Sequence, residues 1–112
     1  MRHLDIMFAA LADPTRRAIL TRLAKSEATV MELSELFAMS QPAVSRHLKV
    51  LEQAGLIARR AEGTKRPCRL VAGGVDAIDQ WLATLRTALS KNYERLDGVL
   101  AEMKSTKARE RR

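Results

Sequence analysis

Gln41, Ser45, Arg46 and Lys49 place an amide, a hydroxyl, a guanidinium and an ammonium within nine residues of one another. On a helical wheel Gln41–Ala54 gathers Val44, Leu48 and Leu51 into one apolar stripe. Gln41, Pro42, Ser45, Arg46, Lys49 and Gln53 fall on or near the opposite face, and His47 borders the stripe. Such a face has the groups that read base edges: glutamine matches adenine N6 and N7, and arginine matches guanine O6 and N7. Ser40 is the expected N-cap, and the free N–H groups behind it suit a phosphate. Polar residues on a surface helix are commonplace, and alone they would mean only a solvated face. A dense run of cations a few residues further on strengthens the case. Arg59, Arg60, Lys65, Arg66 and Arg69 against Glu62 give a net +4 in eleven residues.

The charge distribution supports the same chemistry. The 112 residues include 20 Lys and Arg and 13 Asp and Glu, a formal net charge of +7. Residues 1–55 carry seven basic and six acidic side chains, whereas residues 56–112 carry thirteen and seven. A second basic patch, Lys104, Lys107, Arg109, Arg111 and Arg112, ends the chain and reads as a solvated, flexible tail over 104–112. The internal cluster points to a polyanion, with nucleic acid first. Arg16 and Arg17, at a helix start, are weaker phosphate candidates. Aromatic residues are 4% of the chain and none lies in the internal cluster, which disfavours stacking on single-stranded RNA.

Other chemistries find little support. His3, His47 and Cys68 are the nitrogen and sulfur ligand candidates and fall on three different elements, whereas a tight zinc site needs about four converging ligands. No metal or other cofactor is expected. The histidines have no evident nucleophile beside them, there is no glycine-rich phosphate loop, and the acidic residues are scattered, so an enzyme is not expected. One cysteine excludes an internal disulfide and fits a reducing cytoplasm. No apolar run approaches the roughly 18 residues that span a bilayer, and no leader pattern opens the chain, so no membrane partner is expected.

The elements that must position these residues can be read from period and punctuation. Residues 3–12 read as a short helix; Asp13-Pro14 caps a second, to about Ala24, that buries Ile19, Leu20 and Leu23. Thr29 caps a third, with Val30, Leu33, Leu36 and Phe37 at helical spacing, and Ser40 caps a fourth that Gly55 ends. Only Ala38, Met39 and Ser40 separate the third from the fourth, the spacing of a helix-turn-helix. Leu56–Arg60 and Cys68–Val71 then read as two strands around a Gly- and Pro-bearing loop, a β-hairpin wing. After Gly73-Gly74 a last helix, Val75 to Met103, carries Ile78, Leu82, Leu85, Leu89, Tyr93, Leu96, Leu100 and Met103 at spacings of three and four. At 1.5 Å per residue it is about 43 Å long, more than so small a domain can cover. Its stripe, with Leu4, Met7 and Phe8 of the first helix, is therefore expected to form a homodimer interface, and Gly98 to permit close backbone approach. The fold class is mainly α: about five helices and a two-stranded wing in one domain over residues 1–103.

Ala10-Leu11-Ala12-Asp13-Pro14-Thr15-Arg16-Arg17-Ala18-Ile19-Leu20 resembles the opening signature of the ArsR-type (ArsR/SmtB) winged-helix repressors. Ser40-Gln41-Pro42-Ala43-Val44-Ser45-Arg46-His47-Leu48-Lys49-Val50-Leu51, then Ala54-Gly55-Leu56-Ile57, is similar to their recognition helix and the start of their wing. The likeness spans residues 6 to about 72. It implies a homodimeric bacterial transcription repressor, cytoplasmic and nucleoid-associated, with the first and last helices at the dimer interface. It further implies a fourth helix in the major groove of a palindromic double-stranded DNA operator, through Ser40, Gln41, Pro42, Ser45, Arg46, His47 and Lys49, with the wing contributing Arg59, Arg60, Lys65 and Arg66. The sequence departs from the metal-sensing members. Where they carry Cys-x-Cys in the third helix it has Met31-Glu32-Leu33-Ser34-Glu35-Leu36, and its last helix has Asp76 and Asp79 but no histidine. It is more similar to the metal-independent, SdpR-like branch; no effector is indicated. The competing expectation is a winged-helix protein-interaction module, whose recognition face would be apolar or polar and uncharged.

Overall fold

The computed structural model describes residues 2–110, with side chains as far as Lys104. The order is α1 (Arg2–Leu11), α2 (Pro14–Leu23), α3 (Val30–Phe37), α4 (Gln41–Gln53), β1 (Ile57–Arg59), β2 (Cys68–Leu70) and α5 (Asp76–Glu110). Local side chains set most of these boundaries. Asp13 Oδ2 accepts from the Arg16 N–H at 3.0 Å, with Pro14 behind it. Thr29 and Glu32 form a reciprocal capping box, each side chain accepting from the other's backbone N–H at 3.2 Å. Ser40 Oγ accepts from the Ala43 N–H and opens α4.

The turn between α3 and α4 departs from the usual chemistry. Ala38 adopts a left-handed conformation, φ 52°, where glycine or asparagine is the ordinary choice. Its neighbours hold it there: the Met39 N–H donates to the Ser34 carbonyl, and the Ser34 hydroxyl donates back to the Met39 carbonyl. Gly55, φ 76°, closes α4 conventionally, with its N–H on Glu52 O and that of Leu56 on Leu51 O. Gly74 is needed for space, because a Cβ there would lie 2.8 Å from the Gly55 carbonyl oxygen.

The wing is shorter than the sequence predicts. β1 and β2 pair antiparallel over three residues each, with Ile57 opposite Leu70 and Arg59 opposite Cys68. A further antiparallel bridge joins Cys68 to Ala28, between α2 and α3, through two backbone hydrogen bonds of 2.8 and 3.1 Å. At the tip, Glu62 and Lys65 exchange backbone hydrogen bonds of 2.9 Å around Gly63.

Residues 1–78 form one compact unit and residues 79–112 a second, within which the described backbone is helix. The core of the first contains Met7, Ala10, Ile19, Leu23, Leu33, Val44, Leu48, Leu51, Ala54, Leu56, Ile57 and Cys68. Two expected interface residues are claimed by it: Met7 is fully buried within the protomer and Ile78 nearly so, so neither offers a face to a partner. Leu4 is half-buried, and Phe8 is 37% exposed. In α3 only Leu33 is buried, and Leu36, one of the four residues at helical spacing, is 58% exposed. Leu20, expected inside, is half-buried. In α5, Leu82 is half-buried, while Leu85, Leu89, Tyr93, Leu96 and Leu100 are exposed. The helix continues through Lys104 to Glu110, beyond the expected end at Met103. Of the residues read as a tail, Arg111 and Arg112 and the side chains of 105–110 lie outside the described residues.

Candidate nucleic-acid interface

The α4 N-terminal half, the start of α3 and the wing tip enclose an open groove of about 750 Å³. Gln41 and Ser45 line it from α4, Arg59, Thr64, Lys65 and Arg66 from the wing, and Thr29–Glu32 from α3. Gln41, Pro42, Arg46 and Lys49 are exposed, and Ser45 is half-buried. The Ser40 hydroxyl is already engaged as the cap. Among the described residues, the side chains of Arg46, Lys49, Lys65, Arg66 and Arg69 make no hydrogen bond or ion pair, so these cations are available to a polyanion. The sequence signal for Arg69 was its place in the basic cluster, but it was not among the expected contacts.

Other expected phosphate contacts are committed within the protein. Arg16 Nε donates to the Ala10 carbonyl at 2.7 Å and Nη2 to that of Ala9 at 3.0 Å. Arg17 Nη1 donates to the Leu11 carbonyl at 2.7 Å. Both arginines thus satisfy the carboxyl end of α1, whose own last turn has no basic residue. Arg16 Nη1 also lies 3.4 Å from His47 Nδ1, so His47 is half-buried against α2 rather than directed outward. Arg60 pairs with Glu27 at 2.9 Å and Glu62 at 3.0 Å, two carboxylates that offset its charge and hold its guanidinium still more firmly protonated. Arg59 turns back onto α4, with Nη2 donating to the Ser45 carbonyl at 3.2 Å.

Two further groups are perturbed. The Arg16 N–H, opposed by burial and then assisted by the Arg16 and His47 side chains, holds the Asp13 carboxyl below the usual carboxylate range. Burial pushes the Cys68 thiol up, and its S–H donates to the Arg66 carbonyl. A protonated, buried thiol is a poor metal ligand. Among the described residues no three His, Cys, Asp or Glu side chains cluster as a metal site requires, so the donor set does not fit a thiophilic metal.

Residues 13–59, from the cap of α2 to the end of β1, match the family profile described as bacterial regulatory protein, arsR family. The chain is 45% identical over 94 residues to the HTH-type transcriptional regulator Rv2034 of Mycobacterium tuberculosis, covering 84% of this chain and 81% of that one. The chain belongs to the ArsR family. A crystallised ArsR family transcriptional regulator, RHA00566, superposes with a TM-score of 0.74 at 38% identity, over 80% of this chain and 92% of the other. The homodimeric winged helix-turn-helix domain of Mb0332 from Mycobacterium bovis gives 0.64 at 26% identity, over 77% and 80%. The chain is accordingly a DNA-binding transcriptional regulator of ArsR type, with a winged helix-turn-helix of five helices and a two-stranded sheet, and not an enzyme. Among the described residues no helix is long and apolar enough to cross a membrane.

Proposed function

We propose that the chain is a homodimeric repressor acting on double-stranded DNA in the bacterial cytoplasm and nucleoid. In this reading α4 enters the major groove of a two-fold operator, and residues 1–103 serve together for DNA binding and dimerisation. Gln41, Arg46, Ser45 and Lys49 meet base edges, while Lys65 and Arg66 meet phosphate. The observation that carries the reading is the shared groove: exposed Gln41 on α4 faces the same opening as two wing cations with no internal partner. A protein-interaction module would have no use for that concentration of free cations. Dimerisation is supported by the exposed leucines of α5 and by the homodimeric Mycobacterium bovis relative.

The test is selection of a preferred duplex from a random pool by the full-length protein, followed by anisotropy titration against a scrambled duplex. Gln41→Ala or Arg46→Ala should weaken the selected duplex by roughly 1–3 kcal/mol and the scrambled one much less. Equal loss on both duplexes would move these residues from base reading to phosphate contact. Failure to recover any preferred duplex would favour the interaction-module reading.

A further inference from the structure

Among the described wing cations, Arg59 is the one whose guanidinium is bound to the recognition helix. It ends β1, opposite Cys68 in the sheet, and its Nη2 reaches the carbonyl of Ser45 at 3.2 Å. That oxygen lies in the second turn of α4, between Gln41 and Lys49, where it also accepts the helix's own bond from four residues ahead. The contact therefore joins the loop end of the wing's two strands to the backbone of α4, at the level of the expected reading residues. Fold stability alone is a poor reason for an arginine here. Its Nε is buried with no hydrogen-bond partner, and an unmet buried donor weighs against the folded state. The acceptor is a neutral carbonyl, and neither of the carboxylates that engage neighbouring Arg60 takes part.

We propose that Arg59 is a positioning residue for operator reading: by holding the loop end of the wing's strands to the second turn of α4, it lets Gln41 and Arg46 reach bases while Lys65 and Arg66 reach phosphate. This inference rests on the reading under Proposed function and narrows it, because it removes Arg59 from the phosphate contacts and gives it a geometric role. A single Nη2–H makes the contact, carried on a rigid planar group whose Nε is buried; an ammonium keeps the charge without the planar frame that places that N–H. Charge and geometry can therefore be separated by substitution.

Full-length wild-type protein, Arg59→Lys and Arg59→Met are compared by anisotropy across a salt series. The probes are the duplex the wild-type protein selects from a random pool and a scrambled duplex of the same composition. Both variants should lose about tenfold in the ratio of selected to scrambled affinity, the scale of one bidentate base contact. Their affinity for the scrambled duplex and their slope of log K against log salt should stay at the wild-type values. Lys65→Ala, by contrast, should flatten the slope by about 0.9 per subunit and leave the ratio intact. A wild-type ratio in Arg59→Lys, with a slope in Arg59→Met flattened like that of Lys65→Ala, would make Arg59 a phosphate contact and overturn the inference. Wild-type ratio and slope in both variants would overturn it as well. Should Arg59→Met fail to fold, Arg59→Lys alone decides by its ratio. If the wild-type protein selects no duplex, operator reading itself fails and this inference falls with it, an outcome visible before any variant is made.

Discussion

Arg16 shows how a residue's type and its task can diverge. A formal count gives it to the cationic surface, but its guanidinium is shared between two carbonyls of α1. Arg16→Met should lower stability by about 1–3 kcal/mol in urea denaturation, since charge-assisted hydrogen bonds and the end of a helix are lost together. Its salt slope for DNA should not change. Asp13 gives a pH test. Its carboxyl titrates lower in the folded chain than in the unfolded one, so its contribution is complete above the unfolded value, near pH 4, and disappears as pH falls through the depressed one. The Tm gap between wild type and Asp13→Ala should be open at pH 7 and close on acidification below about pH 4; a gap that widens in acid would refute this. Asp13, Thr29 and Ser40 were legible as caps because a cap and its N–H lie within three residues. Arg59 was not, since its acceptor is fourteen residues away and nothing local marks it.

Among the elements, the α3–α4 turn was legible in its length but not in its conformation. Three residues between two helical periods fix a helix-turn-helix, yet Ala38 carries no glycine signal for its φ of 52°. The left-handed region costs a non-glycine residue about 1–2 kcal/mol, offset in part by the greater unfolded-state freedom of glycine. Ala38→Gly should therefore raise stability by up to about 1 kcal/mol, and Ala38→Val should lower it, as read by denaturant midpoints at constant m. Gly74→Ala should go the other way. A methyl 2.8 Å from the Gly55 carbonyl must displace backbone, at about 1–3 kcal/mol, the usual range for overpacking. For α3, helical spacing identified the apolar positions but could not say which a neighbour covers; Leu33 is covered and Leu36 is not. The wing strands shortened for a related reason: an apolar run shows a propensity for strand, while pairing sets how many residues use it.

For the whole molecule, net charge overstates what DNA can contact. Of the five basic residues in 59–69, Arg59 is bound to α4 and Arg60 is ion-paired. The salt slope should therefore follow Lys65, Arg66 and Arg69 and be little changed by Arg60→Ala. Sedimentation of the full chain at micromolar concentration should give a dimer, and Leu89→Lys with Leu96→Lys should give a folded monomer with weakened operator binding. A wild-type monomer would show that the exposed leucines of α5 serve something else. Gly98, beside which an added methyl meets nothing within 4 Å in the protomer, separates the cases further. Gly98→Ala should favour the helix by about 1 kcal/mol in a monomer, but weaken a dimer whose backbones approach closely there. Zinc, cadmium or arsenite should leave operator affinity unchanged in a gel-shift titration; a stoichiometric metal with a tenfold effect would contradict the reading of the donor set.

The bridge between Ala28 and Cys68 also sorts the amide protons of the wing by how fast they exchange with solvent. Each of these residues donates its N–H to the other's carbonyl, and both are buried in the helical core. Their protons can reach deuterium only when that core opens, on the slow time scale of global unfolding. The N–H groups of Glu62 and Lys65 close a small exposed loop around Gly63, and a local fluctuation is enough to release them. Exchange should thus run through a steep gradient within three residues, from a fast tip at Lys65 to a slow first residue of β2 at Cys68. A wing built this way can remodel its tip against an irregular phosphate backbone while its strands keep the stability of the domain.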